Sequence, residues 1–135
     1  MVKEKIIEIL YRLGFAPEEL DNDMGYRFDY EGMNLLYTAE DDDANSVTFM
    51  MPGIFEISEE NRIAVLEAML KLCTKMKFIQ PAILFDSVWL QYQHFMPNGA
   101  EPTEELIAHM IRVLAVATAN FHKIINNEDN ESNDE

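Results

Sequence analysis

The spacing of hydrophobic and polar positions changes several times along the chain, and each change marks a predicted element. Apolar residues that recur every three or four positions predict a helix, whereas strict alternation predicts a half-buried strand. The sequence therefore predicts one helix, three strands, a helix, two strands and a last helix. In chain order these elements span residues 2–13, 25–32, 33–38, 46–51 with an extension over 54–57, 58–76, 78–85, 88–95 and 103–126.

The strand pattern predicts an antiparallel sheet. Tyr26, Phe28 and Tyr30 alternate with charged residues, and a tight turn predicted at Glu31–Gly32 then leads into a second alternating run. The last two strands are predicted to be joined at Asp86–Ser87. Short connections of this kind join antiparallel neighbours, so the first three strands predict a meander and the last two a hairpin. Pro81 has no N–H to donate to a neighbouring strand, which predicts that the strand at 78–85 lies at an edge of the sheet. Five strands and three helices indicate the α+β class.

The predicted middle helix is apolar on two of its faces. A helix of this kind needs two separate surfaces to pack against. One stripe consists of Ile63, Leu66, Leu70 and Cys73, and the other consists of Val65, Met69, Leu72 and Met76.

Length and charge narrow the classes of function. The chain has 135 residues, and we expect one domain over residues 1–126 followed by a disordered acidic tail at 127–135. Its 25 acidic and 10 basic residues give a net charge of −15, which argues against binding nucleic acid or a membrane surface. Charged residues interrupt the first ten positions, so we expect no hydrophobic region of a signal peptide there. The single cysteine cannot form a disulfide within the chain, which fits a reducing compartment. We therefore expect a cytoplasmic protein.

No set of residues in the sequence specifies a reaction. His94, His109 and His122 lack the three- or four-residue spacing that places two imidazoles on one helical face. Cys73 falls in an apolar stripe, where a thiol usually acts as a small hydrophobic side chain. No nucleophile elbow, phosphate loop or dinucleotide fingerprint occurs. We expect no catalytic residues, no metal and no cofactor.

The sheet and the middle helix together have more apolar surface than two flanking helices are expected to cover. Contiguous uncovered apolar surface commonly marks a protein interface. The chain also contains nine methionines, whose flexible side chains suit adaptable surfaces. The second face of the sheet is predicted to contain Leu36 and Met50, with either Trp89 and Phe95 or Leu90 and Tyr92.

The order of elements over residues 2–125 resembles the type III secretion chaperone-like fold, and within it the YbjN-type family. The resemblance rests on the strand at 25–31, the meander that follows it, the helix at 58–76, the hairpin at 78–95 and the last helix. It implies a five-stranded antiparallel sheet with the first and last helices packed on one face. It further implies a homodimer interface at Val65, Met69, Leu72 and Met76, and a site for a polypeptide partner at Leu36, Met50, Trp89 and Phe95.

The leading hypothesis is a non-enzymatic, chaperone-like protein-interaction module that forms a homodimer and binds a polypeptide partner. One alternative is a small-molecule-binding domain or weak enzyme that uses His94, Tyr92 or Asp86 in a pocket. A second alternative is an acidic inhibitor of a basic protein.

Overall fold

The computed structural model describes residues 2–21, 25–38, 46–97 and 100–126, and these residues form three helices and six strands. Residues 40–45, whose run of acidic side chains predicts a loop, and the predicted tail at 127–135 lie outside the described residues. The helices are α1 (Val2–Arg12), α2 (Arg62–Lys75) and α3 (Glu104–Ile125). The strands are β1 (Glu18–Glu19), β2 (Tyr26–Tyr30), β3 (Met33–Thr38), β4 (Ser46–Glu56), β5 (Ile79–Leu84) and β6 (Ser87–Phe95).

The six strands form one antiparallel sheet with the order β1-β2-β3-β4-β6-β5. This confirms the α+β class and the antiparallel sheet, but the prediction of five strands was wrong. The missing strand is β1, in which Glu18 pairs with Arg27 and Glu19 pairs with Tyr26. Two adjacent exposed glutamates show no alternation between apolar and polar residues, so the pattern offers no signal for such a short strand.

The helices and one face of the sheet share a single hydrophobic core. Along β4, Val47, Phe49 and Met51 are buried, whereas Thr48 and Met50 point to the other face. All three helices contribute buried side chains to this core. The sheet therefore has an inner face that packs on helices and an outer face that points away from them. The fully buried large side chains are Phe49, Phe121, Ile6, Ile9, Leu10, Leu35, Leu72, Leu90, Ile107, Met110, Ile111 and Leu114.

Residues with positive φ form both two-residue hairpin turns. The predicted turn at Glu31–Gly32 is confirmed, with φ of 49° and 81°. The second turn was predicted at Asp86–Ser87, but it consists of Phe85 and Asp86, with φ of 52° and 57°. Leu84 pairs with Ser87 and closes this turn. An aromatic residue is unusual at a position that favours Asn, Asp or Gly, which explains the shift of one residue.

A hydrogen-bonded turn precedes α2 and displaces its start from the predicted Ser58 to Arg62. The Ser58 amide donates to Asn61 Oδ1 over 2.8 Å, and the Asn61 amide donates to Ser58 Oγ over 3.3 Å. Asn61 Nδ2 also donates to the Glu56 carbonyl over 3.1 Å. This reciprocal pair resembles a capping box, with asparagine in the position that glutamate or glutamine usually occupies. It fixes the end of β4 to the start of α2.

The strand β5 lies at the edge of the sheet, as Pro81 predicted. The pair next to a two-residue turn, Leu84 and Ser87, exchanges hydrogen bonds, and bonded and non-bonded pairs then alternate along the hairpin. Pro81, which pairs with Leu90, consequently falls at a non-bonded pair with its nitrogen facing the free edge. The free edge of β5 therefore lacks one backbone donor at its centre.

Tyr37 makes the stability of the fold decrease at alkaline pH. Burial, together with the nearby Tyr26 and Glu4, raises the pKa of Tyr37 well above its ordinary value of 10.0. The folded state therefore retains a proton that the unfolded chain releases above pH 10. The favourable contribution of neutral Tyr37 is complete below pH 10 and decreases as the pH rises further, by up to about 1.4 kcal/mol per pH unit.

We expect Tyr37→Phe to reduce this alkaline loss of stability. The check is urea denaturation of both proteins between pH 8 and pH 11.5. Tyr11→Phe, at a position that is 58% exposed, is the matched control. Equal slopes of stability against pH for the wild type and Tyr37→Phe would show that Tyr37 does not cause the dependence.

Candidate interaction surface

Exposed apolar side chains are concentrated in one part of the chain. Among the described residues, ten large hydrophobic side chains are exposed, and seven of them lie between positions 63 and 85. This segment comprises α2, the edge strand β5 and the turn after it. The seven are Ile63, Leu66, Leu70, Phe78, Ile83, Leu84 and Phe85.

The structure determines which apolar stripe of α2 faces the core. Val65 and Leu72 are completely buried, and Met69 and Met76 are partly buried against the same core. Asn120 of α3 donates to the Met76 sulfur over 3.1 Å. The stripe predicted as a dimer interface is therefore the inner one, and Val65 and Leu72 cannot contact a second subunit while the core stays closed.

The other stripe of α2 points to solvent. Ile63 is 74% exposed and Leu70 is 68% exposed, with Leu66 between them. Cys73 continues the line and is also exposed, so it does not behave as the buried hydrophobic side chain that its stripe suggested. We call Ile63, Leu66, Leu70 and Cys73 the α2 stripe.

The end of the β5–β6 hairpin forms a second apolar feature close to the start of α2. Phe85 is 86% exposed, and its ring centroid lies 6.3 Å from that of Trp89. The Ile57 amide donates to the Asp86 carbonyl over 2.8 Å, which ties the turn to the segment that leads into α2. We call Leu84, Phe85, Asp86 and Trp89 the hairpin tip.

Phe78, at the other end of β5, differs from Phe85 in having a buried partner. Both residues have positive φ, 70° for Phe78, and both are largely exposed. The Phe78 ring stacks on Tyr92 with a centroid distance of 6.1 Å and an interplanar angle of 19°. Burial raises the pKa of the Tyr92 phenol. Phe78 therefore covers part of the core margin.

The four residues predicted to bind a partner on the sheet do not form one patch. Leu36 is buried and pairs with Met50, while Trp89 is half-buried one diagonal step from Met50. Phe95 is 67% exposed but lies six residues along β6 from Trp89, about 20 Å away at the rise of a strand. Polar residues share this outer face: Thr48, Gln80, Gln91 and Gln93.

The residues proposed for a small-molecule pocket do not all lie together, since Tyr92 and His94 are two residues apart on β6 but Asp86 lies in the turn before that strand. Tyr92 and Asp86 are six residues apart along β6 and the turn before it, which corresponds to about 20 Å. A shallow concavity of about 410 Å³ lies elsewhere, beside the first turns of α3. It is lined by Thr103, Glu105, Leu106, His109 and Arg112.

The part of the chain that the structure describes contains neither a metal site nor a membrane-spanning helix. In residues 2–21, 25–38, 46–97 and 100–126, no group of three His, Cys, Asp or Glu side chains is arranged to hold a metal ion. No helix in the described part of the chain has the length and apolar character to cross a bilayer.

The exposure of the hairpin tip was not predicted from the sequence, although the strand pattern contained a signal for it. When Ile83 is aligned with Val88 so that both point inward, Phe85 and Asp86 become the two turn residues. An aromatic residue in a two-residue turn has no neighbour in the sheet to cover it. The mispredicted turn at Asp86–Ser87 instead placed Phe85 inside a strand.

Comparison with known proteins identifies the fold. An uncharacterised protein from Methanothermobacter thermautotrophicus superposes with a TM-score of 0.68 at 12% identity, covering 95% of this chain and 99% of that protein. YbjN from E. coli, for which a role as a transcription regulator has been suggested, superposes with a TM-score of 0.63 at 12% identity, covering 95% and 92%. The chain adopts a YbjN-like fold.

At 12% identity, this YbjN-like likeness establishes the arrangement of helices and strands and no shared activity. No protein-family model and no curated protein sequence matches the chain. The relation to type III secretion chaperones stays a prediction.

Proposed function

We propose that the chain is a non-enzymatic protein-interaction module that forms a homodimer through the α2 stripe and binds a polypeptide partner. The supporting observation is the concentration of seven of the ten exposed large apolar side chains between positions 63 and 85. Such side chains normally occur singly on the surface of a monomer, whereas Ile63, Leu66 and Leu70 share one stripe of α2.

The spacing of the α2 stripe suits a second helix. Its residues are separated by three, four and three positions, the repeat with which apolar side chains of paired helices interdigitate. The inner stripe of α2 already packs on the core of its own subunit. The outer stripe of one copy can therefore pack against the same stripe of a second copy around a two-fold axis.

The distribution of charge also favours this surface for self-association. Residues 62–84 contain four basic residues and one acidic residue, although the net charge of the chain is −15. Two copies repel each other across most of their surfaces, and this segment is where that repulsion is weakest. A dimer through α2 thus brings the least acidic regions together.

We expect Leu70→Asp to convert the dimer into a monomer. A carboxylate at the centre of an apolar interface has no partner there and loses its hydration, so dissociation should be favoured at least about 30-fold. Size-exclusion chromatography with light scattering at about 20 μM measures the mass directly. The wild type should give twice the 15.6 kDa chain mass.

Val116→Asp is the matched control, because Val116 is also exposed on a helix, to 47%, but lies on α3 outside the surface. It should remain a dimer. A monomeric wild type, or a Leu70→Asp variant that stays dimeric, would refute the proposed dimer interface.

A further inference from the structure

Phe85 departs from two local rules at once. It occupies a left-handed position, φ 52°, of a turn that favours Asn, Asp or Gly, and its side chain is 86% exposed. Phe78 has a comparable backbone, but its ring covers Tyr92. The Phe85 ring contacts Trp89, which is itself half-exposed, so neither ring is buried by this contact. A strained and exposed position of this kind points to a role outside the folding of the chain.

The hairpin tip is held in place by its neighbours. Leu84 pairs with Ser87, and the Asp86 carbonyl accepts a hydrogen bond from the Ile57 amide over 2.8 Å. The turn before α2 is itself tied to β4 through Asn61. Phe85 is therefore presented on a backbone that is already ordered, which lowers the entropic cost of binding.

Acidic residues occur in this turn and in the segment that is hydrogen-bonded to it. Asp86 is part of the turn, and Glu56 pairs with Ser87 directly beside it. Glu59 and Glu60 follow in the turn before α2, and all four carboxylates are exposed. Arg62 is the one basic residue in this stretch of residues 56–62. The apolar tip consequently has an acidic rim, unlike the more basic segment that follows it along α2.

We infer that the hairpin tip is the docking site for a basic amphipathic polypeptide segment. Leu84, Phe85 and Trp89 would contact the apolar face of that segment, while the acidic rim would pair with its lysine or arginine side chains. This inference rests on the proposed function and names the chemistry of the partner. The same rim repels phosphate backbones and anionic lipids, so it favours a basic polypeptide over nucleic acid or a membrane.

The single tryptophan provides the measurement, because Trp89 belongs to the tip. A synthetic amphipathic helix built from leucine and lysine is titrated into the full chain while Trp89 emission is recorded. A counterpart with glutamate in place of lysine is titrated in parallel. The leucine–lysine peptide should produce a saturable change in emission, and the leucine–glutamate peptide should produce none at the same concentrations.

Phe85→Asn separates a binding role from a structural one. Asparagine adopts positive φ more readily than phenylalanine, so the variant should raise Tm while weakening peptide binding about tenfold or more. Phe95→Asn removes an exposed phenylalanine from the far end of β6 and should bind the peptide within twofold of the wild type.

The inference is overturned if Phe85→Asn binds as tightly as the wild type, or if the glutamate peptide binds equally well. It is also overturned if Leu70→Asp weakens peptide binding and Phe85→Asn does not, because the peptide would then occupy the α2 stripe. Phe85→Asn should leave the mass in light scattering unchanged. Failure of docking is thereby distinguishable from failure of the proposed dimer.

Discussion

Phe49→Ala should lower the free energy of unfolding by about 3–5 kcal/mol, because it removes a large side chain from the centre of the core. Phe49 is fully buried on β4, with its ring centroid 6.0 Å from that of Phe28 and 5.5 Å from that of Tyr37. These aromatic partners come from β2 and β3, whose positions are fixed by strand pairing. The strands cannot move together to fill the space, so the substitution leaves a cavity.

Urea denaturation followed by circular dichroism measures this loss. A domain of this size is commonly stable by about 5–15 kcal/mol, so the variant should be marginally folded. Phe95→Ala is the control, since Phe95 is 67% exposed and should change stability by less than about 1 kcal/mol. Similar losses for the two variants would mean that Phe49 does not hold the core together.

Gly25→Ala is expected to destabilise the fold by about 2–4 kcal/mol. Gly25 has φ of 106°, a conformation that residues with a side chain rarely adopt. A Cβ atom at this position would also overlap the carbonyl oxygen of Tyr37 on β3. The overlap involves backbone on both sides, so a change of rotamer cannot relieve it, and β2 would have to move away from β3.

Gly14→Ala separates the effect of positive φ from the effect of steric overlap. Gly14 has φ of 90°, but no atom lies near the position that a Cβ would occupy. It should cost about 1–2 kcal/mol from backbone strain alone. Thermal denaturation of both variants gives the comparison. If Gly14→Ala is as destabilised as Gly25→Ala, the close approach to Tyr37 contributes nothing.

The sequence predicts the strands best where one face of each strand is buried. Tyr26, Phe28 and Tyr30 alternate with charged residues, and the structure places β2 and its turn where the alternation indicates. Thr103, the first residue of the range predicted for the last helix, caps α3, since its hydroxyl accepts a hydrogen bond from the Leu106 amide over 3.1 Å. Alternation and capping act within a few residues, so the local sequence contains them completely.

The face of α2 depends on distant residues and could not be derived in the same way. Both of its stripes are apolar, and the decision between them rests on where β5 and α3 pack. The inner stripe contains Val65 and Leu72 because the approach of α3 covers that side. The periodicity shows that α2 has two apolar faces, whereas the tertiary arrangement determines which of them is exposed to solvent.

The hairpin tip illustrates a different limit. Prediction from propensity assumes that each residue occupies a position that suits it, and Phe85 does not. Its exposure follows from the register of β5 against β6, which aligns Ile83 with Val88. A residue that contradicts its local preference is the kind of position where propensity fails and function is sought.

The proline at the centre of β5 limits how copies of this chain assemble. An exposed edge strand can recruit another strand through its backbone, and repetition of that step produces fibrils. Pro81 has no amide proton to donate at the free edge of β5. A strand from another copy therefore cannot form a complete hydrogen-bond ladder with this edge, which disfavours fibril growth there. In the proposed homodimer, contacts made through side chains on α2 would close on themselves after two copies, so the assembly would stay finite.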